Sequence, residues 1–233
     1  MSARSTQSIL LQESRHNFDR EADLVELLVD RLPKTFRAGG NSILVAKEVA
    51  VGRSIADIVM LRRYIKARTI KKNLSVAQAV ILSYVRKRGY IDVDQLKEIA
   101  RTSDRDAELF NRLFANDLLG YAANSEEVVV PLWDPNYRIV AVEAKLSRWR
   151  DALAQATSYR TYADESYVAL PVRQAMTAAK SRDLFDAAGV GLLSTDSTGR
   201  INVLLRAAVA SNHGWQREFV VSRLSTQLYR IQS

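Results

Sequence analysis

Residues 138–145, RIVAVEAK, form an apolar run that ends on an acid and a base two positions apart, Glu143 and Lys145. Residues 54–61, SIADIVML, form a second apolar run, and it contains a single acid, Asp57. Nearly continuous apolar runs of this length predict strands that are covered on both faces, at the centre of a sheet. Because side chains alternate along a strand, Glu143 and Lys145 are expected to project from the same face.

Charged side chains in such apolar strands need partners, because burying an unpaired charge is costly. An ordinary buried ion pair would satisfy Glu143 and Lys145 but would leave Asp57 unexplained. We therefore expect the three side chains to converge at the ends of central strands. Two carboxylates at one point suit a hard cation such as Mg²⁺, which prefers oxygen ligands.

The rest of the chain alternates helices and strands around these two runs. The outer blocks have the order αββ and βαβαββ, which predicts one α/β domain with a central mixed sheet, formed by residues 1–73 and 132–233. The other predicted elements are helices at 16–32, 147–163 and 174–187, strands at 42–51, 166–171, 189–195 and 200–207, turns at Gly52-Arg53 and Asp196–Gly199, chain breaks at Pro33 and Gly39-Gly40, and a docked helix after about Ser211.

Residues 74–131 have a different character and interrupt this domain. The pattern predicts one helix that ends at Gly89, a short one capped by Asp92, and a third that begins at Ser103 or Asp104, followed by a turn and a strand. Three short helices and a β-ribbon resemble a winged helix-turn-helix, whose last helix enters the major groove of DNA. A plain helical insertion or an interaction lid is the alternative.

The composition is typical of a folded protein with a polyanionic partner. The chain has 233 residues, a hydrophobic fraction of 47% and no cysteine, so disulfides and thiol chemistry are excluded. No apolar run approaches the roughly 18 residues that cross a bilayer, and the polar N-terminus does not resemble a secretory signal, so we expect a cytoplasmic protein without membrane contact. The formal net charge of +8 favours binding to nucleic acid.

The basic residues are concentrated in the segment 62–72, RRYIKARTIKK, which contains no acid. A solvated helix face is the alternative interpretation, but such faces usually mix both signs of charge. The candidate nucleic-acid-binding residues are Arg62, Arg63, Lys66, Arg68, Lys71, Lys72, Arg86, Lys87 and Arg88.

Taken together, Asp57 in the second strand, Glu143-Ala144-Lys145 at the end of the third, and a following helix with Gln155 resemble the signature of the PD-(D/E)XK nuclease superfamily. This resemblance spans most of residues 16–171 and implies a restriction-endonuclease-like αβββαβ core. Two features differ from the family pattern. Ala56 occupies a position that is often proline, and Glu143 lies 86 residues after Asp57, a long gap that an inserted domain explains.

The resemblance implies a role for each residue of the signature. Asp57 and Glu143 would bind Mg²⁺, with Mn²⁺ able to substitute, and the carbonyl group of Ala144 would complete the ligand shell. Lys145 would orient or deprotonate the attacking water.

Two further residues are assigned by position. Glu21 is the candidate for the acid that such nucleases place on the first helix, and Glu26 is its competitor. Gln155 shares a helical face with Tyr159 and Tyr162 and would hold the water or a phosphate, unless it is an ordinary surface amide.

Other kinds of site find little support in the sequence. His16 and His213 are too few for a histidine-based metal site, and no phosphate-binding loop of the nucleotide hydrolases is present. We therefore expect a metal-dependent endonuclease that acts on duplex DNA, with a homodimer as one assembly that the sequence allows. A DNA-binding or regulatory protein that no longer cuts is the alternative, and an RNA-directed nuclease is a third possibility.

Overall fold

The computed structural model describes residues 18–36, 42–63, 73–100, 106–123, 125–132, 137–196, 198–211 and 214–232. Within these residues, the elements in chain order are α1 (Glu21–Thr35), β1 (Ser42–Val51), β2 (Ser54–Arg63), α2 (Val76–Arg88), β3 (Ile91–Asp92), α3 (Val93–Ala100), α4 (Asp106–Ala115), β4 (Leu119–Tyr121), β5 (Val128–Pro131), β6 (Tyr137–Ala144), α5 (Trp149–Tyr159), β7 (Glu165–Pro171), α6 (Val172–Ala179), α7 (Arg182–Ala188), β8 (Gly191–Thr195), β9 (Ile201–Leu205) and α8 (Trp215–Gln232).

A mixed sheet of six strands, in the order β1-β2-β6-β7-β8-β9, forms the centre of the fold. The strands β6, β7 and β8 are parallel, while β1, β2 and β9 join them through antiparallel pairings. The two apolar runs of the sequence are thus neighbours, since β2 pairs directly with β6. The predicted α/β class with a mixed central sheet is confirmed.

Helices cover both faces of the sheet. On one face, Leu24, Leu28 and Leu32 of α1 pack against even-numbered residues of β2 and β6. Each of these leucines is fully buried, which contributes about 1.5–3 kcal/mol per side chain to folding. On the opposite face, Ala152 and Ala156 of α5 pack against odd-numbered residues of β6. Small residues on α5 bring this helix close to the strand that carries Glu143.

The alternation of side chains between the two faces of the sheet shifts by one residue within the β1–β2 hairpin. In β1, Ala46 and Val49 pack into the same cluster, although strict alternation would place them on opposite faces. Between them, Glu48 has a φ of 52°, in the left-handed region that non-glycine residues rarely adopt. The hairpin register places Glu48 opposite Asp57, where β2 shifts in the same way. Asp57 is therefore partly exposed, at 27%, between buried neighbours.

Among residues 74–131, those that the structure describes form three helices and a small sheet of order β3-β5-β4. The first helix, α2, has a capping box at its start, in which Ser75 and Gln78 exchange hydrogen bonds, and it ends at Gly89 with a φ of 84°. Buried residues of this unit belong to the same hydrophobic cluster as those of the main sheet. The long helix α8 packs along α2, so the described residues of the segment 74–131 share a core with the main sheet.

Several helix boundaries differ from the prediction, since α1 begins at Glu21 and not at residue 16, and α5 spans Trp149–Tyr159 and not 147–163. Pro33 does not end the first helix, because α1 continues to Thr35, and a proline in the last turn removes only one hydrogen bond. The predicted helix at 174–187 is divided into α6 and α7 at Lys180-Ser181, where tight turn hydrogen bonds redirect the chain. This turn allows Phe185 to stack on Trp149 at 5.8 Å. None of the described helices combines the length and apolarity needed to cross a membrane.

Candidate active site

The antiparallel pairing of β2 and β6 brings Asp57 and Glu143 to the same end of the sheet. The ladder ends at the pair Ile58–Val142, so its register places Asp57 opposite Glu143. Beyond this pair, the side chain of Asp57 replaces the main chain as a partner, and its Oδ2 accepts a hydrogen bond from the Ala144 N–H at 2.8 Å. The carbonyl group of Ala144 points toward the same side, because the N–H and C=O of one strand residue lie on one edge.

The ammonium group of Lys145 lies among three carboxylates. Its Nζ is 2.9 Å from Glu143 Oε1, 3.3 Å from Glu21 Oε2 and 3.9 Å from Asp57 Oδ2. The Lys145 side chain is only 14% exposed. The predicted convergence of Asp57, Glu143 and Lys145 is thus present in the structure, together with Glu21 of α1. We call these four residues the carboxylate–lysine cluster.

Glu143 is the most deeply buried member of this cluster, with 1% of its side chain exposed. Its second carboxylate oxygen, Oε2, accepts a hydrogen bond of 2.5 Å from the Tyr159 hydroxyl. The same hydroxyl lies 2.8 Å from the carbonyl oxygen of Ile55. A phenol has one proton to donate, so these two acceptors compete for it. Tyr159 thereby connects α5 to β2 and fixes the Glu143 carboxylate.

Burial dominates the electrostatics of the two strand acids. It raises the pKa of Asp57 and of Glu143 above the ordinary values, although hydrogen bonds from Ala144, Tyr159 and Lys145 favour the ionised forms. Burial lowers the pKa of Lys145, but its hydrogen bond to Glu143 and the surrounding carboxylate charges outweigh this, and the net shift is upward. Lys145 is therefore protonated at neutral pH.

Glu48 is a member of the site environment that the sequence analysis missed. Its charge raises the pKa of Asp57, which faces it across the β1–β2 hairpin. The signal was present in the sequence, because counting outward from the turn Gly52-Arg53 pairs position 48 with position 57. Glu26, the competitor of Glu21, instead forms an exposed ion pair with Lys47 at 2.5 Å.

The interpretation of Gln155 is only partly consistent with its position. Gln155 lies on α5 as predicted, but its side chain is exposed, whereas Tyr159 and Tyr162 are buried. Tyr162 lies beyond the end of α5, so only Gln155 and Tyr159 of the predicted helical face are on this helix. Burial raises the pKa of Tyr159, as does its hydrogen bond to Glu143, so this tyrosine remains a neutral donor.

The predicted nucleic-acid-binding residues have different environments. Arg86 pairs with the buried Glu218 of α8 at 2.7 Å, which ties its side chain to the fold. Lys87 is exposed, and the exposed Arg88 lies over the ring of Tyr84 at 5.0 Å. Arg62 is partly buried at the end of β2, where the backbone of Arg63 also lies. The remaining members of the basic segment, Lys66, Arg68, Lys71 and Lys72, lie outside the described residues, as do His16 and His213.

The part of the chain that the structure describes contains no group of three or more acidic or histidine side chains arranged closely enough to hold a metal ion. In the carboxylate–lysine cluster, the ammonium group of Lys145 lies where the carboxylates converge. Any metal ligation by the strand acids would thus involve Asp57 and Glu143 with main-chain oxygen, and not a complete set of acidic side chains.

Comparison of the chain with protein-family models, curated proteins and solved structures gives no match. The functional argument therefore depends on the geometry and chemistry of the carboxylate–lysine cluster itself.

Proposed function

We propose that this protein is a divalent-metal-dependent nuclease that hydrolyses phosphodiester bonds in DNA, on a restriction-endonuclease-like core. The observation that carries the proposal is the contact of one buried ammonium group with Glu143, Asp57 and Glu21 at the end of two adjacent central strands. These residue types and their order along the chain resemble the PD-(D/E)XK signature.

The charge balance of the cluster favours a cation. Three carboxylates carry three negative charges, and Lys145 supplies one positive charge. The nearby Glu48 adds to the negative potential at Asp57. A divalent cation would compensate the excess, and the oxygen donors of Asp57, Glu143 and the Ala144 carbonyl group are of the type that Mg²⁺ and Mn²⁺ prefer. This donor chemistry fits a metal, with Glu21 as a further candidate ligand.

In this proposal, each residue of the site has a defined role. Asp57 and Glu143 would hold the cation, while the Ala144 N–H orients Asp57 and the Tyr159 hydroxyl orients Glu143. A bound divalent cation would lower the pKa of water and neutralise charge on the scissile phosphate. Because the raised pKa of Lys145 keeps it protonated, we assign it the orientation of the attacking water or a phosphate oxygen, and not proton removal.

Surrounding groups would contribute to substrate binding. The chain has an excess of eight positive charges, which supports phosphate contacts outside the cluster. The order of helices and strands in residues 74–131 supports a winged-helix-like unit beside the α/β domain. Gln155 is exposed on α5. It would contact the substrate if this helix faces the bound DNA.

A second function is favoured by the closed ion-pair arrangement of the cluster. Both oxygens of Glu143 already have partners, and Lys145 neutralises part of the charge without any metal. Such a network could be purely structural in a DNA-binding or regulatory protein that does not cut. The two functions differ in one respect: only a nuclease requires a cation for turnover.

The test is incubation of the purified protein with supercoiled, linear and branched DNA, and with RNA, in Mg²⁺, Mn²⁺ or EDTA. We expect cleavage of DNA in either metal and none in EDTA. Glu143→Gln should abolish cleavage and leave DNA affinity nearly unchanged, because binding depends on lysine and arginine. Glu26→Gln, an exposed acid on the same helix as Glu21, is the matched control and should cut normally. Cleavage by Glu143→Gln at the wild-type rate would refute the assignment.

A further inference from the structure

A groove of about 680 Å³ lies between α2 of the inserted unit and α8 at the end of the chain. Val80 and Tyr84 line it from α2, and Trp215 lines it from the first turn of α8. Its size is that of a pocket for a small organic group, such as a nucleotide. The groove lies away from the carboxylate–lysine cluster, because its lining residue Arg217 contacts the carbonyl oxygen of Tyr137, at the opposite end of β6 from Glu143.

The walls of the groove are fixed by polar contacts between α2, α8 and the sheet. Arg86 bonds to Glu218, whose side chain is 4% exposed. Arg217 pairs with Asp164 at 2.7 Å. Both of these arginines are thus neutralised by carboxylates, and neither supplies net charge to the groove. The exposed cation of the lining is Lys87, and Arg88 follows it on the helix.

The positive charge of the inserted unit is concentrated in the helix that lines this groove. Residues 74–91 contain three basic residues and no acid. Residues 92–131 contain four basic residues and nine acids, so the rest of the unit is acidic. The acids include Glu126 and Glu127 before β5. Phosphates would be repelled from the ribbon and attracted to the end of α2.

Aromatic side chains accompany this positive charge. The Tyr84 ring is 38% exposed and has Arg88 over one face at 5.0 Å. Trp215 is partly buried and meets Phe219 edge-on at 6.2 Å, which holds the indole against the helix. Exposed aromatic rings beside a cation are the combination that binds single-stranded nucleic acid, because an unpaired base stacks on a ring while its phosphate meets the charge.

We infer that the groove between α2 and α8 binds an unpaired nucleotide of the nucleic-acid substrate, with its base on Tyr84 or Trp215 and its phosphate at Lys87. This inference rests on the proposed function, since it adds a substrate contact to a nuclease. A second depression beside Tyr84 is lined by both Arg88 and Glu98, so their charges offset each other there. The unit of residues 74–131 therefore contacts substrate through its first helix and not through the acidic ribbon.

The position of the groove also sets a length for the substrate. Tyr137 and Glu143 are six residues apart on β6. At about 3.3 Å per residue the two ends of this strand are roughly 20 Å apart. A single strand that reaches from the carboxylate–lysine cluster to the groove would thus cross a distance on the order of 20 Å, which about six nucleotides span when stacked at ~3.4 Å each and fewer span when unstacked. The substrate class is a duplex with a single-stranded overhang or gap.

The experiment measures binding in EDTA, so that it does not depend on cleavage. Fluorescence anisotropy of the full-length protein is recorded with a blunt duplex and with duplexes that have overhangs of about 3 and about 10 nucleotides. The longer overhang should bind most tightly. Tyr84→Leu keeps an apolar side chain but removes the ring, and should weaken overhang binding about tenfold without changing blunt-duplex binding. Lys87→Gln should reduce the salt slope by about 0.7 for the overhang.

Glu126→Gln with Glu127→Gln is the matched control on the ribbon, and it should leave overhang preference unchanged. Trp215→Phe is a second, conservative variant of the groove, and all variants are compared only if their melting curves match the wild type. Equal binding of blunt and overhang duplexes by the wild type, or unchanged binding by Tyr84→Leu, Lys87→Gln and Trp215→Phe, would overturn the inference. If metal-dependent cleavage persists in that case, the proposed function stands alone. Overhang preference without any cleavage would instead retain the groove and reject the nuclease.

Discussion

At the scale of single residues, the cluster is organised around one ammonium group. Lys145 contacts Glu143, Glu21 and Asp57, and it is the member that both proposed functions require for different reasons. In a nuclease it would position water or phosphate in the transition state. In a structural network it would only neutralise the carboxylates. Substitution of this residue therefore separates the two roles.

We predict that Lys145→Met lowers the cleavage rate by several orders of magnitude while DNA affinity stays within about twofold, since it removes a group that acts mainly in the transition state. The measurement is single-turnover cleavage with Mg²⁺ and with Mn²⁺, beside a binding isotherm in EDTA. Lys47→Met, which removes an exposed ammonium group from β1, is the control and should be nearly neutral. A Lys145→Met protein that cuts like the wild type would leave Lys145 with a structural role only.

At the scale of secondary-structure elements, α8 connects the inserted unit to the sheet. It packs along α2, where Arg86 pairs with Glu218, and the Ser222 hydroxyl accepts a hydrogen bond from the Leu74 N–H at 3.1 Å. The same helix contacts the start of β6 through Arg217. Residues of the segment 74–131 are thus fixed relative to the main sheet by contacts with α8.

We predict an asymmetry when the Arg86–Glu218 pair is broken. Arg86→Ala removes the arginine that bonds to a buried carboxylate and should destabilise the protein by about 3 kcal/mol, the lower end of the range for buried pairs. Glu218→Gln leaves an arginine that is 26% exposed and can be hydrated, so its effect should be smaller. Urea unfolding of both variants measures the difference, and Arg88→Ala on the exposed surface is the control. The reverse order of the two effects would contradict this account.

At the scale of the whole molecule, the proposed function implies that folding stability depends on bound cations. Three carboxylates around one ammonium group are a source of repulsion in the absence of metal. A cation that binds only the folded state removes this repulsion and stabilises the protein by mass action. Stability therefore reports on the site without knowledge of the substrate.

We predict that Mn²⁺ at about 100 times its Kd stabilises the wild type by about 2.7 kcal/mol, which raises the Tm by several degrees. Asp57→Asn should lose most of this shift, because it removes a candidate ligand, and it should remain folded in EDTA. Differential scanning calorimetry with and without metal provides the measurement, with Glu26→Gln as a control that should keep the full shift. An absent shift in the wild type, together with strong destabilisation of Asp57→Asn, would favour the structural network.

The raised pKa values of Asp57 and Glu143 predict that their contribution to the free energy of unfolding falls as the pH rises. Carboxylates with lowered pKa values have the opposite effect. Since burial raises the pKa of Asp57 and Glu143, the folded state binds more protons than the unfolded state between the ordinary and the raised value. In that interval these two groups lower the free energy of unfolding as the pH rises. In EDTA, the stability difference between Asp57→Asn and the wild type should therefore increase with pH above about 4 and then level off. A difference that is constant over pH would contradict the raised pKa of Asp57.

Much of this arrangement could be predicted from the sequence. The apolar runs around Asp57 and Glu143 predicted two central strands, and alternation predicted that Glu143 and Lys145 lie on one side. Both follow from local rules that need only a few neighbouring residues. The same is true of the helix α2, which begins at the capping box of Ser75 and Gln78 and ends at Gly89.

Only the tertiary structure decided which distant residues meet. Glu48 reaches the site because alternation shifts within the hairpin, and Tyr159 reaches Glu143 because α5 packs across β6. Arg86 forms an ion pair with Glu218, a residue 132 positions away in the sequence. Its basic neighbours in the sequence did not indicate this pairing. A charge pattern along the chain does not reveal such pairings, because the cost of burying a charge depends on partners that only the folded chain supplies.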